Sequence, residues 1–402
     1  MIVYNRHMTT PTPPEFSSPE FLRRHIGSIL DFYEPRVRSN DGGFHQCFLD
    51  DGSVYDFGIR HLVSSTRFVF NYATAYRQHG NAHYLQWAAE GFEFLQSHHR
   101  QPQGHYAWVI DKGEVIDGRA MAYGHAFVLL AAASCARINV KGATEIIEEV
   151  WQLVEQYFWD EQGQAYTDER DATLSSLDPY RGQNANMHMC EALLACFDAT
   201  GDSRFLNRAS SLARRFAVEL AQINDGLIWE HYDSSWRCDM QYNIEKPDDL
   251  FKPWGFQPGH QLEWSKLLMA LNAIQPDPLW VQRAIELYNA AMTKGWDTEF
   301  EGLVYGFAPD GSFSDAHKYF WVHAEGFAAA WRLYRYTGQE RYLEDYNRLW
   351  GYSWKTLIDH EHGAWFRIRT REGQAVDKLK SPPGKRTITP WGHAGMYWTI
   401  TN

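Results

Sequence analysis

GGFHQCFLDDGSVYD, from Gly42 to Asp56, is the first of six related stretches in this chain. In each, a glycine is followed closely by an aromatic residue and then by a polar, turn-rich run. The pattern returns as GHYAWVIDKGEVID from Gly104, GQAYTDERD from Gly163, GLIWEHYDSSW from Gly226, GLVYGFAPDGSFSD from Gly302 and GAWFRIRTREGQAVD from Gly363. Counted from Gly43, successive copies lie 61, 59, 63, 76 and 61 residues apart. Self-similarity at so even an interval marks a repeated structural unit. Asp-Gly, Lys-Gly and Glu-Gly steps between short alternating aromatic runs are β-hairpin signals.

Between these copies lie segments whose apolar residues recur three and four apart, the spacing of one helix face. They come in pairs and total twelve, from FLRRHIGSILDFYEPRV at Phe21 to TITPWGHAGMYWTI at the C-terminus. One member of each pair is small and apolar, as in the run from Gly124 to Ala133, which suits an inner ring; the other is amphipathic, which suits an outer one. Thr200-Gly-Asp202 and Thr337-Gly-Gln339 read as helix ends followed at once by new helices. The expectation is an all-α fold, an (α/α)6 barrel of twelve helices with short β-hairpins at one end. An open solenoid of helix pairs is the alternative. Residues 1–17, polar and Pro-rich, are expected to be a disordered, tag-like segment with Met8 as a candidate start, and 18–402 a single catalytic domain.

Composition narrows the function. The 402 residues carry 38 Lys and Arg against 50 Asp and Glu, a formal charge of −12, which argues against a nucleic-acid partner. No apolar run of about 18 residues spans a membrane. Cys47, Cys135, Cys190, Cys196 and Cys238 are scattered and odd in number, so neither a disulfide framework nor a zinc site is indicated, and a cytoplasmic location is expected. Aromatic residues make up 15% of the chain; such rings fill large cores and also stack on the C–H faces of sugars.

Polar residues at the starts of inner helices stand out, because a buried polar group needs a partner or a purpose. Four places share this look: Asn184 to Glu191 with His188, Pro258 to Glu263 with His260, His323 with Glu325, and Pro390 to His393. His188 and Glu191, like His260 and Glu263, are three apart and project from one helix face. Arg67 opens the apolar stretch of another inner helix. Each has a bland reading: a His as a satisfied cap or core group, a Glu as half of a capping box, Arg67 as a snorkelling side chain. Their joint occurrence at equivalent places favours convergence on one pocket in a closed ring. His-x-x-Glu pairs also admit a divalent metal, but HExxH, EF-hand and Asp-rich patterns are absent, so none is expected.

NANMHMCEALLACFDATGD, EHYDSSWRCDMQYN, PGHQLEWSKLL and His393 together resemble the N-acylglucosamine 2-epimerase superfamily, over a span from about Phe21 to the C-terminus. Asn186-Met-His188 is similar to the aldose–ketose isomerase branch, where cellobiose 2-epimerases have a Thr-His-Leu-His type of stretch. The resemblance implies a metal-independent isomerase without cofactor, interconverting D-mannose and D-fructose and by extension D-lyxose and D-xylulose, as a monomer or homodimer. By similarity His260 and His393 match the two central catalytic histidines. Arg67, His188 and Glu263 match substrate contacts, and Glu325 lies where a further pocket carboxylate is expected. His323 has no counterpart. Leu250 stands where the sulfosugar branch has Arg, which points to a plain hexose.

Physical chemistry fits that reading. Moving a proton between neighbouring carbons through an enediol needs a base that titrates near neutrality, and imidazole does. Glu263, one turn from His260, is expected to orient that ring, and Arg67 to stabilise enediolate oxygens. Competing readings are a sugar 2-epimerase, an (α/α)6 glycoside hydrolase, which needs a carboxylate pair across a cleft, and a non-catalytic binding protein.

Overall fold

A computed structural model describes residues 11–249 and 251–382. The described residues contain eleven α-helices: α1 (Pro19–Val37), α2 (Leu62–His79), α3 (Ala82–Phe94), α4 (Ala122–Ala136), α5 (Ala143–Tyr157), α6 (Gln183–Thr200), α7 (Ser203–Arg214), α8 (Pro258–Ile274), α9 (Pro278–Gly295), α10 (Phe320–Thr337) and α11 (Glu340–Thr356). The expected twelfth helix and His393 lie outside the described residues.

Burial sorts the helices into two kinds. In α8, 15 of 17 residues are buried, whereas in α5 the buried set is Ala143, Ile146, Ile147, Val150, Trp151, Leu153 and Val154, a single stripe at helical spacing. The even-numbered helices α2 to α10 are of the first kind, and each packs on the next even-numbered one. Each is also backed by the odd-numbered helix that follows it. The Thr-Gly ends are as expected: Gly201 and Gly338 close α6 and α10 with left-handed backbones.

Short antiparallel strands tie one unit to the next. Ile59–His61, which leads into α2, pairs with Val109–Asp111; Ala120–Met121, leading into α4, with Glu169–Arg170. Arg181–Gly182 pairs with His231–Tyr232 before α6, Phe256 bridges Phe307 before α8, and Lys318–Tyr319 pairs with Ile368–Arg369 before α10. A further pairing returns from the last unit to the first, Phe48 opposite Ser381. The Lys-Gly hairpin forms as read from the sequence, with Val109–Asp111 beside Glu114–Asp117 and positive φ at both Lys112 (50°) and Gly113 (85°), the geometry a two-residue turn requires.

The fourth residue of each described inner helix locks its unit in place. His125 Nε2 accepts from the Tyr106 N–H at 3.1 Å while its Nδ1 meets the Met121 carbonyl. His323 does the same with the Leu303 N–H and the Tyr319 carbonyl. Asn186 and Gln261 accept from Tyr166 and Ile228 and donate back to the same backbones. In α2 the position holds Ser65, which accepts from Gln46 and contacts His99. His323 is therefore a structural latch whose two ring nitrogens both serve the backbone.

The stretch before α1, expected to be disordered, packs against α11 over its described part. The Phe16 ring stacks on Trp350 at 5.6 Å, Tyr346 donates to the Phe16 carbonyl, and Trp354 donates to that of Pro11. The aromatic residue in an otherwise polar segment supplies the burial.

Burial holds His25, His61 and His323 down at about 3, and His99, His125 and His188 at about 4. Depressed imidazoles stabilise the fold fully above the unfolded value of 6.5, and that contribution is lost as pH falls toward 3–4. Asp168, lifted by burial to about 7, acts in the opposite sense, as do the raised Glu263, Glu325, Asp50, Asp345 and His317, but the depressed imidazoles, joined by His45, His105 and His231, outnumber them. Each histidine forfeits up to about 2 kcal/mol between pH 6.5 and 5. The urea midpoint is thus expected to fall steeply from pH 7.5 to 5; an unchanged midpoint would show that these rings are protonated in the native state.

Candidate active site

The sixth residues of α2, α4, α6, α8 and α10 meet through a run of contacts: Arg67 lies over Phe127, Phe127 against His188, His188 near Glu263, and Glu263 and Glu325 both at Lys266. Two of those helices add a further polar residue one turn on, Glu191 on α6 and Lys266 on α8. Arg67, His188, Glu263 and Glu325, expected from sequence to converge, are brought together this way.

Lys266 is the hub. Its buried Nζ lies 2.7 Å from Glu325 Oε2, 3.5 Å from Glu191 Oε1 and 3.9 Å from Glu263 Oε1. His188 Nδ1 is 3.5 Å from Glu191 and 3.7 Å from Glu263. The His188 ring sits between Tyr123 and Phe127, at 4.9 and 4.8 Å. The Arg67 guanidinium lies over the Phe127 ring at 4.4 Å, and its buried Nε has no hydrogen-bond partner among the described residues. Burial pushes the Tyr123 hydroxyl up to about 12 against the pull of Arg67.

The charges are unequal in consequence. Burial works to raise Glu191, but Lys266, His188 and Arg67 outweigh it and hold this carboxyl at about 2. Burial and the neighbouring Glu325 push Glu263 well above the carboxylate range. Burial also raises Glu325. Lys266 loses to burial and gains more from the three carboxylates, so it stays charged. His188, Glu191 and Glu263 offer ligand atoms within 4.8 Å of one another, a spacing a metal ion could use, yet the Lys266 ammonium already lies against both carboxylates.

His260 stands on the first turn of α8, and the local sequence explains its setting. Pro258 occupies the first helical position, where its missing N–H costs nothing. Gly259 lets the Trp321 ring come close; a Cβ there would meet it at 2.4 Å. That indole then lies 5.1 Å from the His260 ring. His260 Nδ1 lies 2.9 Å from Glu230 Oε2 and 3.0 Å from Oε1. Gln183 Nε2 donates to the same Glu230 at 2.9 Å, and the Trp264 indole donates to Gln183 Oε1 at 2.8 Å. This chain orients every member: Nδ1 of His260 carries the proton that Glu230 accepts, and Nε2 is left for another partner.

Glu230 was assigned no role in the sequence reading, which gave ring orientation to Glu263. Glu263 instead faces His188 and Lys266, and the carboxylate at His260 arrives from the fourth repeat, 30 residues upstream. The signal lies in the repeats themselves. Four residues after the glycine the copies read Cys47, Trp108, Thr167, Glu230, Gly306 and Arg367, so one copy places a carboxylate beside an inner-helix start. Gln183, Lys266 and Trp321 were also missed. Phe251 joins the aromatic wall, 5.9 Å from Tyr123 and 5.7 Å from Trp108. A cavity of about 980 Å³ lies at the far ends of α2, α8 and α10, between Thr74, Met269 and Trp331, and contains none of these groups.

The N-acylglucosamine 2-epimerase (GlcNAc 2-epimerase) family pattern matches residues 42–389. D-Mannose isomerase of Marinomonas mediterranea is 46% identical over 373 residues, covering 92% of this chain and 95% of that protein. D-Mannose isomerase of Thermobifida fusca is 37% identical over 302 residues, 74% of this chain and 73% of that one. A crystal structure of D-mannose isomerase superposes with a TM-score of 0.94 at 44% identity, covering 97% of this chain and 99% of that chain.

The tautomer assigned to His260 is open to direct measurement. ¹⁵N NMR at pH 8 is expected to show Nδ1 protonated and Nε2 bare, and Glu230→Gln is expected to shift the balance toward protonated Nε2. An Nε2–H ring in the unsubstituted protein would remove Glu230 from its role.

Proposed function

Because the chain belongs to the N-acylglucosamine 2-epimerase family, we propose that it is an aldose–ketose isomerase that interconverts D-mannose and D-fructose. The enzyme class and sugar chemistry follow from the D-mannose isomerases that match nearly the whole chain in sequence and in fold. The observation that carries the mechanism is the buried His260, tied at Nδ1 to Glu230 and bare at Nε2 among the described residues.

The reaction begins with the closed hemiacetal. A proton leaves the anomeric O1–H and another reaches the ring oxygen O5 as the C1–O5 bond breaks. His260 serves this side, with Glu230 supplying a counter-charge whenever Nε2 takes a proton. The C2 proton of the open aldose is then removed, giving an enediolate with its charge on O1; the O2–H proton passes to O1, and a proton is delivered to C1 as O2 becomes the carbonyl. His393 is the proposed carrier between C2 and C1. One base on one face of the enediol yields the ketose, whereas epimerisation needs delivery to C2 from the opposite face. Arg67 meets the enediolate oxygens, and its unpartnered buried Nε supports that role. His188, Glu263 and Glu325 hold sugar hydroxyls, and no metal or nucleotide is needed.

The same reading takes the architecture as a closed (α/α)6 ring in one catalytic domain, with the strand pairs gathered at the end where inner helices begin. The return pairing of Phe48 with Ser381 supports closure. Five cysteines without a disulfide support a reducing compartment, and no helix among the described residues is long and apolar enough to cross a membrane.

Incubation of the protein separately with D-mannose, D-lyxose and D-glucose, with products resolved by chromatography, is expected to give fructose from mannose and no loss of rate with EDTA. Glucose from mannose would mean a 2-epimerase. In D₂O, turnover is expected to exchange the C2 hydrogen. His260→Ala and His393→Ala are each expected to lower kcat about 10²- to 10⁴-fold. If both variants keep full exchange and turnover, the histidine mechanism is wrong.

A further inference from the structure

Burying charge is costly unless each charge is paired, and the heart of this pocket holds three carboxylates from three different helices. Glu191 comes from α6, Glu263 from α8 and Glu325 from α10, all three meeting one ammonium. Lys266 sits three residues after Glu263 on the same helix, so its position relative to that carboxylate is set by the helix itself. Its side chain is 4% exposed, which leaves little room for water to screen these charges. The arrangement joins α6, α8 and α10 through one tethered cation at the level of the pocket.

We propose that Lys266 is a positioning residue: its ammonium is the built-in cation of the pocket, holding Glu263 in register for the sugar while balancing Glu191 and Glu325. The proposal rests on the isomerase reading for what Glu263 does, but not for the charge balance. Glu191 and Glu263, two of the three groups whose ligand atoms lie within 4.8 Å of one another, also meet Nζ, at 3.5 and 3.9 Å. A covalently attached ammonium there provides fixed positive charge that no chelator removes. Arg67, which also pulls on these carboxylates, then does not have to balance them alone.

The test compares Lys266→Met, Lys266→Arg and the double variant Lys266→Met/Glu191→Gln, in steady-state kinetics on D-mannose and in thermal melting without sugar. Lys266→Met is expected to lower kcat about 100-fold, the loss typical of a displaced catalytic contact, and to raise KM as well. Lys266→Arg keeps the charge and is expected to retain more activity. The double variant removes one charge of each sign; it is expected to melt above Lys266→Met and to regain about tenfold in kcat, as coupled neighbours do. A merely structural lysine would show the recovery in melting alone, so the recovery in kcat is the readout of positioning. Lys266→Met with kcat and KM within about threefold of the unsubstituted protein would overturn the proposal. So would a double variant no more active and no more stable than the single one. If Lys266→Met does not fold, the double variant decides alone: a folded protein supports the charge balance, an unfolded one refutes it. Should the unsubstituted protein fail to isomerise mannose, the functional reading falls, while the melting order still judges Lys266.

Discussion

Charge pairing inside a low-dielectric interior is the constraint on which this pocket depends. Arg67, His188, Glu191, Glu263, Lys266 and Glu325 are buried or nearly so, and none could stay there alone. The inner helices solve this by delivering their polar residues to one place, where Lys266 meets carboxylates from three of them. Hydrophobic packing brings the helices together, and the level at which they meet is fixed further by polar contacts. The buried ion pairs are among these, because a slip of one turn would leave a carboxylate without its cation.

The starts of the inner helices divide their labour by position. The fourth residue bonds to the backbone of the glycine–aromatic stretch that precedes its helix, whether it is His125, Asn186, Gln261 or His323. The sixth faces the pocket. Two histidines of the same residue type, His188 and His323, therefore have opposite fates: one has both ring nitrogens spent on the backbone, and the other lies among carboxylates. His260 is a third case, on the first turn, where Gly259 admits the Trp321 ring and Glu230 reaches Nδ1. A functional imidazole here is one whose helix position leaves a nitrogen unclaimed.

The chemistry of the pocket also separates it from that of a hydrolase. An inverting glycosidase needs one carboxylic acid and one carboxylate base facing each other across a cleft with room for water. Here the acidic groups share a lysine in a buried cluster, and the carboxylate nearest an imidazole is hydrogen-bonded to it. Such carboxylates serve imidazoles and hydroxyls. In this chain helix register brings the polar groups together, and the residues presented at that register decide the chemistry.

Much of this was legible in the chain alone. Six glycine–aromatic stretches at near-equal intervals, with helical periodicity between them, carry the repeat architecture, because local hydrogen bonding and apolar spacing are written in neighbouring residues. Spacing of three placed His188 with Glu191 and His260 with Glu263 on common faces, and the family resemblance pointed to Arg67 and Glu325. What tertiary structure alone decided is pairing across units: Glu230 rather than Glu263 at His260, Lys266 among three carboxylates, His323 as a latch, and Phe16 stacked on Trp350. Those contacts join residues tens to hundreds of positions apart, and their energies depend on distances that no periodicity encodes. Sequence determines which faces a helix presents; only packing determines what each face meets.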